Sequence, residues 1–134
     1  MQVGTRASRH DRGHWEAKLG VRQFWAEECR ARPAEVLDEI VAHLRRTGVE
    51  GVYLSNDIDG TDSAWVDATG TPEPGGLEPD FVVELIRRLG RDIGLIGGDV
   101  MELAPPLRPR PDSTERTVAV AARYLRETIA AVLG

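Results

Sequence analysis

Short apolar runs alternate along this chain with amphipathic stretches of helical length, and that alternation limits the fold more than any other feature. The runs at 1–6, 21–25, 49–56 and 93–100 read as strands. Between them lie a short predicted helix at 10–18, a longer one at 33–46 opened by Pro33, and another opened by Pro79. Val36, Leu37, Ile40, Val41 and Leu44 make the buried stripe of the 33–46 helix, which Gly48 ends. Val82, Leu85, Ile86 and Leu89 do the same for the helix after Pro79. A last helix follows Asp112, with Glu115 placed to complete a capping box and Val118, Ala122, Leu125, Ile129 and Val132 along one face. Strands separated by helices rather than tight turns run parallel, so the expected class is α/β, a three-layer α/β/α arrangement with a parallel sheet. Four strands make a thin sheet, and the chain opens directly on a strand. The expectation is therefore about half of a larger sheet, its open edge and the Val118–Val132 face lacking their usual cover.

At 134 residues the chain is one domain or part of one. A net charge of −5 argues against a nucleic-acid partner. No apolar stretch reaches the roughly 20 residues that cross a bilayer, and Met1–Arg6 has no signal-peptide core, so no membrane is expected. One cysteine, Cys29, cannot form an internal disulfide and fits a cytoplasmic setting. Of seventeen basic residues only Lys18 is a lysine.

The chemistry concentrates after the third strand, in Ser55-Asn56-Asp57-Ile58-Asp59-Gly60-Thr61-Asp62. Strand alternation would place Asp57 and Asp59 on one side, two residues apart. Carboxylates that close repel unless a positive charge lies between them, and a hard divalent cation is the economical candidate. The loop 60–76 is long and rich in glycine and proline, which marks it for function. The fourth strand carries Gly97-Gly98-Asp99 and ends at Glu102.

Two families share parts of this pattern. Asp57-Ile58-Asp59-Gly60-Thr61 resembles the nucleophile motif of haloacid-dehalogenase-type phosphatases. Against that, Asp62 stands where those enzymes want an apolar residue, the motif comes late in the chain, and no lysine follows it. The wider pattern resembles the ureohydrolases: the arginases, agmatinases and related guanidine hydrolases. It comprises Ser-x-Asp-x-Asp-x-x-Asp at 55–62, Ala68-Thr69-Gly70-Thr71-Pro72-Glu73-Pro74-Gly75-Gly76-Leu77, and Asp99-Val100-Met101-Glu102. The middle segment is nearer in form to agmatinase-like members than to formiminoglutamases. The likeness runs from about Val3 to the end and makes residues 1–134 the C-terminal part of an arginase-like domain.

That resemblance implies a site with two Mn2+ ions, where water is activated to attack a guanidinium carbon and urea is released. It implies that Asp57 bridges both metals, that Asp59 binds one, that Glu102 pairs with the guanidinium of the substrate, and that Thr71 lies beside it. No catalytic residue is assigned in this chain. Four of the family's six metal ligands come from Gly-Gly-Asp-His and Asp-Ala-His-x-Asp motifs, neither of which occurs here, and Ser63 stands in place of the usual proline. The expected partners are therefore a small guanidino substrate and either a complementary N-terminal half or further copies of the chain. The opposing expectation is a non-catalytic remnant or interaction piece.

Other residues carry blander expectations. Asp62 and Asp99 are read as structural, Arg6 as a charge partner inside the fold, and Trp15, Trp25 and Trp65 as packing residues. His10 and His14, four apart, fall on no family ligand position, and His43 is read as a surface residue.

Overall fold

The computed structural model describes all residues from Met1 to Gly134. In chain order the elements are β1 (Gln2–Thr5), α1 (His14–Leu19), β2 (Gln23–Trp25), α2 (Ala26–Ala31), α3 (Pro33–Thr47) and β3 (Val52–Asp57). After these come α4 (Pro79–Asp92), β4 (Leu95–Met101) and α5 (Ser113–Leu133), with single 3-10 turns at Ile58–Gly60 and Pro105–Leu107.

All strand pairing is parallel, but the four strands do not form one continuous sheet. β1 pairs with β2, and β3 pairs with β4, as two separate ribbons. This differs from the single half-sheet expected from the alternation, because no strand of this chain joins β1 to β3.

Pro33 and Pro79 occupy first-turn positions, where the missing N–H would be unpaired anyway. Gly48 ends α3 in the left-handed conformation at φ 69°. The stripes of α3 and α4 are buried as their spacing predicts, Val36, Ile40 and Ile86 completely. With Phe24, Ile58, Val66 and Tyr124 they form one apolar cluster. α4 and α5 approach closely enough that a Cβ on Gly90 would lie 2.8 Å from the Ala131 methyl. α5 also crosses β4 tightly, since a Cβ on Gly98 would meet the Thr128 methyl at 2.9 Å.

α5 leaves bare the face that the sequence marks as lacking its usual cover. Its buried face is Thr117, Ala121, Tyr124 and Thr128, while Val118, Leu125, Ile129 and Val132 remain exposed. The face that meets this chain's own core is mostly hydroxylated; the apolar face is free. Asp112 makes no side-chain cap and instead accepts from Arg116 Nη1 at 3.4 Å, one turn along the helix. The short helix α2, absent from the sequence reading, begins where Glu28 accepts from the Trp25 backbone N–H at 3.0 Å. No helix is long and apolar enough to cross a membrane.

One face of the β3–β4 ribbon packs on helices and the other is open. Leu54 points inward with Val52, whereas Tyr53, Ser55 and Asp57 are exposed. On the open face the Asp99 carboxylate accepts from Tyr53 Oη at 3.0 Å and Ser55 Oγ at 2.9 Å. Asp99 is thus a structural tie between strands, as expected.

Candidate functional site

The carboxyl ends of β3 and β4 and the loop 60–77 build the acidic site. Asp57 is the last residue of β3, and Asp59 lies in the 3-10 turn that follows. The pair is therefore not brought together by strand alternation. The chain turns, and Asp57 Oδ1 accepts the Asp59 backbone N–H at 3.3 Å. Ile58 between them is fully buried and anchors the turn to the core.

The loop is built like an element of the core. Val66, Ala68 and Thr69 are buried, and Asp67 is only 4% exposed. Thr117 Oγ1 on α5 accepts the backbone N–H groups of Asp67 at 3.2 Å and Ala68 at 3.1 Å. Arg110 Nη2 and Arg116 Nη2 donate to the two Asp67 oxygens at 2.5 and 2.8 Å. Burial alone would raise the Asp67 pKa; hydrogen bonds from Arg116, Ser113 and Arg110 outweigh it, leaving the carboxyl below its ordinary value. Thr61 Oγ1 lies 3.0 Å from the Tyr124 hydroxyl, whose pKa burial pushes up to about 12. None of these anchors figures in the sequence reading. The one available signal was hydroxyl residues recurring at helical spacing along α5, against the apolar stripe.

Asp62 has the structural role expected of it. It accepts from Ala64 N at 2.8 Å, Gly75 N at 2.7 Å and Gly76 N at 3.1 Å. Burial pulls its pKa upward, but these three backbone donors prevail and lower it. Its oxygens are thereby committed to the loop.

Asp57 behaves oppositely. Loss of water raises its pKa first, the neighbouring Asp59 charge adds to this, and Glu102 contributes from the end of β4. Neither Asp57, Asp59 nor Glu102 forms a salt bridge. Arg6, read as a charge partner, instead donates to two backbone carbonyls, Asp59 O at 2.5 Å and Glu73 O at 2.8 Å. The cluster thus holds negative charge that no side chain neutralises, an arrangement a bound cation would relieve. Thr71 Oγ1 donates to Asp59 Oδ2, which joins those two predicted residues directly. Glu102 sits one residue past β4 at φ 63°, a left-handed conformation uncommon for a non-glycine residue. Its backbone carbonyl accepts from Thr69 Oγ1 at 2.7 Å, and its carboxylate faces the Gly70 backbone.

The donor set fits part of a metal centre and no more. Nowhere do three His, Cys, Asp or Glu side chains converge on one point in a way that could hold an ion. A hard divalent cation takes six or more oxygen ligands, or four with zinc, so two aspartates need ligands from elsewhere. His10 and His14 stack ring on ring at 3.9 Å beside Trp15. His43 is half-buried against Phe24 rather than on the open surface. Trp65 Nε1 donates to Glu78 at 2.8 Å. The Cys29 thiol, its pKa raised to about 11 by burial, is no nucleophile.

A parallel α/β chain with an acidic cluster at the carboxyl ends of its strands is a class in which ligands bind at that edge. Comparison with known proteins narrows the class. The sequence model of the Arginase family matches residues 1–130, so this chain belongs to the arginase family. It is 38% identical over 137 residues to a guanidinobutyrase from Pseudomonas aeruginosa, covering 100% of this chain and 40% of that one. An Escherichia coli agmatinase is 36% identical over 104 residues, covering 77% of this chain and 32% of the other. Among solved structures, a hypothetical agmatinase from Burkholderia thailandensis superposes with a TM-score of 0.78 at 30% identity, covering 98% of this chain and 38% of its own. The fold is arginase-like, and the chain spans about two-fifths or less of these relatives. Family membership over nearly the whole length overturns the phosphatase alternative.

Proposed function

We propose that this chain is the C-terminal part of a manganese-dependent ureohydrolase, which cleaves a linear guanidino compound of the agmatine kind to an amine and urea. The observation that carries the reading is the unneutralised Asp57–Asp59 couple, with Thr71 bound to one member and Glu102 close enough to perturb the other. Asp57 and Asp59 would hold their share of the manganese. The chemistry manganese would supply there is an activated water, a nucleophile strong enough for a guanidinium carbon, a poor electrophile. Thr71 orients the Asp59 carboxylate through its hydroxyl. Glu102 accepts paired N–H donors from the planar guanidinium, the geometry in which a carboxylate binds that cation best. The remaining ligands come from a complementary polypeptide equivalent to the N-terminal half, and the chain alone is inactive. The rival reading, a non-catalytic piece of the same fold, draws support from the absence of any three-ligand cluster.

Urea release decides between them. The chain is co-expressed with the part of the Pseudomonas aeruginosa guanidinobutyrase that lies outside the match, and the pair is assayed with manganese and either agmatine or guanidinobutyrate. Urea from the pair but not from either half, reduced at least about a hundredfold by Asp57→Asn, is expected. Urea at the same rate from the Asp57→Asn pair, or none from any pair that forms, contradicts the proposal.

A further inference from the structure

Glu102 stands in a left-handed conformation at φ 63°, which side chains other than glycine seldom adopt. Such a backbone persists only where its surroundings over-determine it. Glu102 is exposed, so burial of its own side chain does not fix it. What holds it is a short antiparallel clasp between the loop at 67–69 and the segment that follows β4. Thr69 bridges to Leu103, and the Ala104 backbone N–H donates to the Ala68 carbonyl at 2.9 Å. Thr69 Oγ1 donates to the Glu102 carbonyl itself at 2.7 Å. One residue on, a Cβ at Gly70 would lie 3.5 Å from Glu102 Oε2.

Charge closes the far end of this clasp. Asp67 gives one oxygen to Arg110 Nη2 and the other to Arg116 Nη2, so it offers none to a metal or a substrate. The two arginines do different work. Arg116 belongs to α5, whose Thr117 also receives the Asp67 and Ala68 backbone donors. Arg110 lies on the outgoing segment, seated by its backbone N–H on Ser113 Oγ at 3.1 Å. Its bond to Asp67 is the only ion pair between the loop and the stretch that follows Glu102. The Arg110 side chain is 51% exposed. Its loss would leave the Arg116 and Thr117 contacts in place and remove only the tie between the two sides of the clasp.

We propose that Asp67 and Arg110 are positioning residues for Glu102. They touch neither metal nor substrate and act through the clasp, which keeps the Glu102 backbone left-handed and its carboxylate beside Gly70, next in the chain to Thr71. A carboxylate that accepts two parallel N–H donors must present both oxygens in one orientation, so a small swing of the backbone costs the paired contact. The guanidinium as the ligand of Glu102 rests on the ureohydrolase reading; the clasp does not.

Arg110→Gln tests it in two measurements, with Arg110→Lys as the conservative variant and Asp67→Asn as a second break at the buried end. The first is amide hydrogen exchange on the full chain alone. Exchange of the Ala104 amide is expected to quicken at least about tenfold in Arg110→Gln while α3 and α4 keep their rates, with Arg110→Lys in between. The second is urea release by the co-expressed pair. KM for the guanidino substrate is expected to rise at least about tenfold with kcat within about threefold and manganese content unchanged, and Arg110→Lys to recover part of the loss. A merely structural part would lower the amount of active enzyme, a fall in kcat at constant KM, and that result overturns the proposal. Unchanged Ala104 exchange in both Arg110→Gln and Asp67→Asn overturns it too. So does faster exchange with an unchanged KM, since the clasp would then serve the fold and not Glu102. If the parent pair releases no urea, the ureohydrolase reading falls by itself. Ala104 exchange then decides the clasp alone, faster exchange keeping it and unchanged exchange removing it.

Discussion

At Gly76 a Cβ would lie 2.5 Å from the Asp62 backbone nitrogen and 2.6 Å from the Thr61 carbonyl carbon. Those are backbone atoms, which cannot rotate away. The same residue donates its N–H to Asp62, so the loop that carries Thr71 closes through one glycine and one carboxylate. Gly76→Ala is expected to lose about 3 kcal/mol of stability, the upper end for overpacking, read as a lower midpoint in urea denaturation. A change below about 0.5 kcal/mol would mean that the loop relaxes freely. Individual residues also show where the sequence was readable. Asp57, Asp59, Thr71 and Glu102 were all marked by motif, and they share one end of the β3–β4 ribbon. Their geometry was not readable, because a 3-10 turn at Ile58 and a left-handed Glu102 depend on packing around them.

Among the elements, the loop from Thr61 to Leu77 and α5 depend on each other. Asp67 is held by arginines on either side of the start of α5, and Thr117 receives the loop's backbone donors. The folded pKa of Asp67 is depressed, so its stabilising contribution is complete above the unfolded value near 4 and is lost as pH falls through the folded one. Asp67→Asn is therefore expected to destabilise by roughly 2–4 kcal/mol at pH 7, by removing the buried carboxylate to which Arg110 and Arg116 both donate, and by progressively less below about pH 4. Denaturation midpoints of both proteins across that range check it; a gap that widens as acid is added would contradict it. α3 and α4 were legible because their apolar stripes face this chain's own core. α5 was legible as a helix with an uncovered apolar face, but the face that meets the core was not. Its apolar stripe is the side turned away, and Thr117 and Thr128 face inward against Gly98 and the loop.

For the whole molecule, several apolar and strand-edge surfaces are left bare. The β3–β4 ribbon is bare on the Tyr53–Ser55–Asp57 side, α5 shows Leu125, Ile129 and Val132 to solvent, and the β1 and β3 edges are unpaired. A parallel ribbon is normally covered on both faces. The alternation of strands and helices announced a parallel α/β fold with part of its sheet missing. It could not announce that the strands fall into two separate ribbons, because strand order is set by contacts between segments far apart in sequence. At the site, two aspartates present carboxylates that no cationic side chain pairs with. The direct test is manganese bound per chain after dialysis against micromolar metal, measured by elemental analysis for the chain alone and with its complement. We expect well under one ion for the chain alone and about two for the complex, falling by at least half with Asp57→Asn. Two ions held tightly by the isolated chain, or a complex whose metal content is unchanged by Asp57→Asn, would contradict the assignment of this chain as one side of a shared metal centre.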